Sequence, residues 1–256
     1  MSLEVIKKVR QITGAGMVDV KKALDEANGD ESKAIEILRK AGAKTAAKKA
    51  GRSASEGVIA FAEENGKLAM VTLNCETDFV AINEDFISAV NDFAKKLLEL
   101  GKDNFKVWAE DEIKNNLIVK IGENLQLGEF DILEGEVIGT YLHSNKKVAG
   151  VTILSANQEI AKDIAMHIAA FGPGYVRPED VPESVVAKEK EIYTEQLKAE
   201  GKPVEIIEKI MSGKIEKFYS EVCLLKQAFV KDDKITVEKL LADNNVELVD
   251  FKYYSL

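Results

Sequence analysis

The sequence predicts an α+β fold: a small N-terminal three-helix head, then a body of two related α+β subdomains, the second interrupted by an antiparallel helical hairpin of coiled-coil character. Three observations predict it. Residues 3–40 place apolar side chains at helical spacing in three short runs. From Glu56 onward a strand–turn–strand–helix pattern occurs twice. Two long apolar-seamed segments then flank Gly201-Lys202-Pro203. The expected domains are 1–52 for the head and its linker, 53–133 for the first subdomain, and 134–256 for the second, with the hairpin inserted at 183–225.

In the head, Val5, Val9 and Ile12 line one helix face, Val20, Ala23, Leu24 and Ala27 the next, and Ala34, Ile35 and Leu38 the third. Breakers separate them at Thr13-Gly14-Ala15-Gly16 and Asn28-Gly29-Asp30, with Asp30 expected to cap the third helix. From Gly42 to Ser55 the composition turns to Ala, Lys, Gly and Ser without apolar periodicity, which reads as a tether or a weakly packed helix.

The first copy begins at Glu56-Gly57, runs through Val58 to Phe61, turns at Asn65-Gly66 and returns as Val71-Thr72-Leu73. Asn-Gly is a strong hairpin signal because both residues tolerate positive φ. The helix that follows carries Phe86, Ala89, Val90, Phe93, Ala94, Leu97 and Leu98 as one stripe. A second helix is expected over Glu110–Ile121, stopped by Gly122, then a strand over Leu125–Leu133. The second copy begins at Glu134-Gly135, runs through Val137 to His143, turns around Ser144-Asn145, returns as Val151-Thr152-Ile153 and enters a helix bearing Ile160, Ile164, His167, Ile168 and Phe171.

The two copies differ in one place. Leu73 to Phe86 is thirteen positions and Ile153 to Ile160 is seven, so the first copy holds six extra residues, with Thr77-Asp78-Phe79 among them. Such an insertion is expected to add nothing to either core and to project as a contact element, since loops on a rigid scaffold are where function concentrates.

In the hairpin, Val185, Val186, Ile192, Tyr193 and Leu197 mark one arm, and Ile206, Ile207, Ile210, Ile215, Phe218, Val222 and Leu225 the other. Two readings stand: a hairpin packed as core, or a projecting arm through which copies of the chain associate. The Lys- and Glu-rich outer faces favour the arm. The chain closes with a short helix over Ile235–Leu241 and a strand over Val246–Tyr254.

Bulk properties narrow the function. The net charge of −9 divides unevenly: residues 1–52 hold twelve Lys/Arg against seven Asp/Glu, a balance of +5, and the remainder holds 23 against 37, or −14. A basic head on an acidic body suits an acidic protein partner better than a nucleic-acid backbone. Direct nucleic-acid binding is therefore not expected, and a ribosome- or RNA-associated role for the head is the alternative its charge supports. No window is apolar enough to span a membrane, and Met1-Ser2-Leu3-Glu4 opens directly into an amphipathic pattern, so a cytoplasmic protein without membrane attachment is expected. Cys75 and Cys223 lie far apart with no metal-ligand partner nearby, which fits reduced thiols.

An enzyme would need a convergent polar site, and the sequence offers little for one. Gly14-Ala15-Gly16 with Asp19 and Lys21-Lys22 lacks the preceding strand and the spacing of a phosphate loop. His167 lies on an apolar stripe and reads as a satisfied core histidine, while His143 ends a strand where it should be accessible. No catalytic residue, cofactor or metal is expected.

Several of these residues carry a family resemblance. Leu3 to Leu24, with Val9-Arg10, Thr13-Gly14-Ala15-Gly16-Met17, Asp19 and Lys21-Lys22-Ala23-Leu24, resembles the N-terminal domain of the elongation factor Ts family. Asn74-Cys75-Glu76-Thr77-Asp78-Phe79-Val80-Ala81 resembles that family's most distinctive loop. Lys120-Ile121-Gly122-Glu123-Asn124, Tyr141 with His143, Met166-His167-Ile168-Ala169-Ala170, Gly201-Lys202-Pro203, and Gln227 with Phe229-Val230 follow in the family's order. Departures are Val20, where cysteine is common, and Lys231, where some relatives are apolar. Some relatives also continue into a further C-terminal module, whereas this sequence stops at Leu256.

The resemblance implies a guanine nucleotide exchange factor for elongation factor Tu, binding that partner both GDP-bound and nucleotide-free, with no chemistry of its own. It implies a head like a ubiquitin-associated domain that grips the partner's nucleotide domain through Arg10, Asp19 and Lys21. Asp78 and Phe79, flanked by Thr77 and Val80, would intrude near the partner's magnesium site. Ile121, Gly122, His143 and Val230 would belong to the body's contact surface.

Overall fold

The computed structural model of the chain describes residues 2–49 and 51–256; Met1 and Ala50, within the expected head and linker, lie outside them. The described chain forms two compact units, the first running to Leu133 and including Leu256, the second running Glu134–Ser255.

Ser2 caps helix α1 (Leu3–Thr13), its hydroxyl accepting the Val5 amide at 3.3 Å, and Gly14 at φ 66° ends it. Helix α2 (Met17–Glu26) follows, then α3 (Glu31–Lys49), where Asp30 accepts the Lys33 amide at 3.0 Å as the sequence predicts. Val9, Val20, Ala23, Leu24, Ala34 and Leu38 close the core of this head. The segment from Gly42 is helical as far as Lys49. At Gly42 it lies tight against the rest of its unit, where a Cβ would collide with the Val119 side chain.

Strands β1 (Glu56–Glu64) and β2 (Lys67–Cys75) pair antiparallel around Asn65 and Gly66, at φ 53° and 73°. After a short helix α4 (Asp78–Ala81), α5 (Glu84–Glu112) lays Phe86, Val90, Phe93, Ala94 and Leu97 on the sheet. It breaks at Gly101, φ 72° and ψ 165°, so the second helix starts well before the expected Glu110. Phe105 and Trp108 explain the earlier start. Phe105 meets Phe93 edge-on at 6.2 Å, and Trp108 lies 4.9 Å from the same ring. A π-helical turn (Ile113–Leu117) leads into α6 (Ile118–Ile121), which Gly122 closes at φ 85°. Strand β3 (Gln126–Glu134) then lies beside β2.

The second unit repeats the plan. Strands β4 (Val137–Leu142) and β5 (Val148–Leu154) pair antiparallel, helix α7 (Gln158–Phe171) packs on them, and a later strand joins beside β5. Helices α8 (Glu183–Ala199) and α9 (Val204–Val222) pack on each other around Leu197, Ile207, Ile215 and Phe218, leaving Ile192 and Ile206 exposed. Leu225 falls beyond α9, in a 3-10 turn. Strands β6 (Ala228–Phe229) and β7 (Asp232–Thr236) form a small ribbon, followed by α10 (Val237–Asp243) and β8 (Leu248–Ser255). Ile235 therefore lies in a strand rather than starting a helix, because Thr236 caps α10 by accepting the Lys239 amide at 3.2 Å.

The repeat holds with a shift of one residue. In the first unit Val71 and Leu73 face the helix; in the second it is Thr152, whose hydroxyl donates to Ala161 O at 2.9 Å, and Leu154. Leu73 thus corresponds to Leu154, not Ile153, since neighbours along a strand face opposite sides. Thirteen positions from Leu73 to Phe86 then compare with six from Leu154 to Ile160, and the insertion is seven residues rather than six.

Among the described residues no helix is long and apolar enough to cross a membrane.

Candidate interaction site

The insertion is built on a short helix with two faces. Thr77 caps α4, its hydroxyl accepting the Val80 amide at 3.4 Å. Ala81 turns inward and is only 6% exposed, Val80 packs half-buried on the same core, and Asp78 and Phe79 face solvent. Phe79 is 78% exposed and Ile82, three residues on, 74%. The expectation that the insertion adds nothing to the core is corrected here: one face of α4 anchors it, and that anchorage lets the other face present an aromatic ring to water.

Beneath α4 the chain is tied to the corner after α6. The Glu123 carboxylate accepts the Glu76 amide at 3.0 Å, the Thr77 amide at 3.1 Å and the Thr77 hydroxyl at 2.6 Å. In return the Glu76 carboxylate accepts the Asn124 amide at 2.6 Å and pairs with Arg52 at 3.3 Å. The amide of Asn124, then the Arg52 guanidinium, hold the Glu76 carboxyl below the usual carboxylate range, against a partial desolvation that raises it. Asn124, itself buried, donates its side-chain amide to Arg52 O at 2.8 Å.

Ile121 and Gly122 sit immediately before this clamp. Ile121 packs half-buried against the first core, and Gly122 is exposed with its carbonyl accepting from the Lys49 ammonium. The clamp therefore brings Thr77, Asp78, Phe79 and Val80 beside Ile121 and Gly122. Arg10, Asp19 and Lys21 are all exposed on the head. Asp19 borders a cleft of about 380 Å³ shared with Gly42, Val119 and Gly122, while Arg10 borders another with Lys120 and Asp85, which pair at 2.9 Å. Lys21 borders neither.

His143 and Val230 belong to the second unit. His143 is exposed at the end of β4. Val230 is partly exposed, and its amide donates to Nδ1 of His167 at 3.2 Å. The other ring nitrogen of His167 meets Oε1 of Gln227 at 2.9 Å, so Nε2 carries the proton. The ring is fully buried and stacks on Phe171 at 4.7 Å.

Burial lowers the His167 pKa below 6.5, and the Gln227 bond opposes the shift only in part. Protonation would also set a second ring N–H against the Val230 amide. The unfolded chain therefore binds this proton more readily, so the contribution of His167 to stability is complete above pH 6.5 and is lost as pH falls. Urea unfolding between about pH 7.5 and 5.5 is expected to show that loss in the wild type, and a flatter profile in His167→Gln, whose side chain does not titrate.

Residues 76–256 match the sequence model of the family Elongation factor TS. Elongation factor Ts of Halothermothrix orenii is 42% identical, with 100% of this chain and 92% of the relative covered. That of Deinococcus radiodurans is 44% identical over 95% of this chain and 96% of the relative, and that of Hahella chejuensis 41% over 100% and 92%. The chain belongs to the elongation factor Ts family. It is accordingly a translation elongation factor, and the similarity to these relatives extends across both units.

In this member of the elongation factor Ts family, the residues that hold the loop carry no local sequence signal for that role. Glu123 and Asn124 lie within the quoted Lys120–Asn124 motif, yet nothing in their spacing ties them to Glu76, more than forty positions away. Ile82 was missed too, although its place three residues after Phe79 puts it on the same helical face. Among the described residues no cluster of three or more potential ligands is arranged to hold a metal ion.

Proposed function

We propose that the chain is the guanine nucleotide exchange factor for elongation factor Tu, working in the cytoplasm and using the Asp78–Phe79 loop to disturb the partner's magnesium and phosphate site. The observation that carries this reading is the exposed Phe79 ring on a helix anchored from below by Ala81 and clamped by Glu123. An aromatic side chain held in water by a rigid base is an apolar contact awaiting a partner. Family membership supports the identity of that partner.

The mechanism is a difference in binding. Nucleotide is held partly through a magnesium ion bridging its phosphates, so a factor that binds best when the ion's surroundings are displaced favours release. Burial of the Phe79 side chain supplies about 1.5–3 kcal/mol, enough to weaken nucleotide binding roughly ten- to a hundredfold. Asp78, adjacent and exposed, brings negative charge to the same place. Arg10, Asp19 and Lys21 would grip the nucleotide domain, with Ile121, Gly122, His143 and Val230 completing the contact. Linkage makes the effect reciprocal: GDP weakens the factor's hold as much as the factor weakens that of GDP. Both GDP-bound and nucleotide-free partner therefore bind, the latter more tightly, and this chain makes and breaks no covalent bond.

The reading is tested by release of a fluorescent GDP analogue from elongation factor Tu with this chain present below stoichiometric amounts. Turnover beyond one nucleotide per chain is expected. A stoichiometric or absent effect would overturn the exchange reading.

A further inference from the structure

We propose that Glu123 is the positioning residue of the Asp78–Phe79 loop and that, with Glu76, it locks this loop and the Ile121–Gly122 corner into a single contact element. The inference rests on the exchange reading above and adds to it a residue that would not itself touch the partner.

The geometry is a crossed pair. Each of two short segments offers a backbone N–H to the other's glutamate: Glu76 N–H to Glu123 at 3.0 Å, and Asn124 N–H to Glu76 at 2.6 Å. Glu123 collects two further donors, the amide and hydroxyl of Thr77. Three donors converging on one side chain suit a carboxylate, which only accepts and has lone pairs for all three. Arg52 adds a cation to the crossed pair, placing Nη1 at 3.4 and 3.3 Å from the two oxygens of Glu76.

The consequence runs through Thr77. Its hydroxyl proton points to Glu123, which leaves its lone pairs for the Val80 amide at the start of α4. Glu123 thus fixes the cap, the cap fixes the direction of α4, and α4 fixes where Phe79 stands. Without the Glu123 carboxylate, Ala81 still anchors the far end and Glu76 still holds the Asn124 amide and Arg52, but the Thr77 amide and hydroxyl lose the acceptor that fixes the cap. A ring free to sample many positions is a poorer wedge than one already set.

The test is the efficiency of GDP release from elongation factor Tu with wild type, Glu123→Ala, Glu123→Gln, Phe79→Ala and the Glu123→Ala/Phe79→Ala double variant. Amide hydrogen exchange at residues 76 and 77 of the free chain is read alongside. Glu123→Ala is expected to lose roughly tenfold, the order of one charge-assisted hydrogen-bond group, and to speed exchange of both amides. Glu123→Gln keeps one acceptor oxygen for the two amides and is expected to stay within about threefold of wild type. In the Phe79→Ala background the Glu123 substitution is expected to cost less than about twofold, because its effect passes through the ring. Should Glu123→Ala not fold by circular dichroism, Glu123→Asp, shorter by one carbon, takes its place with the same expectations. Unchanged release or unchanged amide exchange would overturn the proposal, as would an equal cost in both backgrounds. Failure of the wild type to accelerate release would instead overturn the exchange reading, leaving the amide measurement to decide the lock.

Discussion

Phe79→Ala is expected to leave the fold intact and to slow GDP release from elongation factor Tu by roughly ten- to a hundredfold. The ring is 78% exposed, so its removal takes little from the core, and the change in unfolding free energy should be within about 0.5 kcal/mol. Everything that holds α4 survives the substitution: the Thr77 cap, the inward Ala81 and the Glu123 clamp are all on other residues. Stopped-flow release rates, with thermal unfolding of the same preparation, separate the two effects. A normal rate would remove the aromatic wedge from the mechanism; a lowered midpoint would show that Phe79 belongs to the fold.

Gly150→Ala is expected to do the reverse, damaging the second unit without touching any residue proposed for contact. Helix α7 lies so close to β5 that a methyl at Gly150 would meet the α7 backbone, at 2.9 Å from Ala169 N and 3.1 Å from Ala165 C, with Ala165 O nearer still. Gly139, on the neighbouring strand, faces Ala161 in the same way, with Ala161 Cβ at 2.7 Å. Backbone cannot swing aside like a side chain, so the helix must lift from the sheet, and a loss of about 1–3 kcal/mol or more is expected. Gly213→Ala serves as control. It lies within α9 with nothing within 4 Å, so alanine there should stabilise by about 0.5–1 kcal/mol. Calorimetry of the three proteins checks both signs, and an unaltered Gly150→Ala would mean the helix sits further from the sheet.

The parts of the fold legible from sequence were those carried by local pattern. The α5 stripe from Phe86 to Leu97 has the helical period, and Asn65-Gly66 has the turn chemistry of a tight hairpin. Asp30 sits where a cap belongs. The misreadings have equally local causes. A lone glycine inside a helical pattern can be tolerated or can break the helix, so Gly101 gave no warning that the second helix begins there. Strand β5 is buried on both faces, so its apolar residues carry no alternation, and the face that meets α7 is marked instead by Gly150, close against the helix backbone, and Thr152, bonded to the helix carbonyl of Ala161.

The candidate site divides along the same line. Phe79 stands out in the sequence because it is an aromatic residue in a segment that one copy of the repeated unit has and the other lacks. Glu123 does not stand out, because a charged residue after a glycine is ordinary and its meaning lies in three hydrogen bonds to a distant segment. Long-range polar networks leave no period behind. His167 is intermediate: its apolar stripe announced a buried, satisfied ring, but not that Gln227 and the Val230 amide would satisfy it.

The most direct measurement is the rate of GDP release from elongation factor Tu with and without this chain, in magnesium and again with the magnesium chelated. The account predicts a large acceleration in magnesium that shrinks once the ion is gone, since the loop then has little left to disturb. No acceleration in either condition, with both proteins folded, would contradict it.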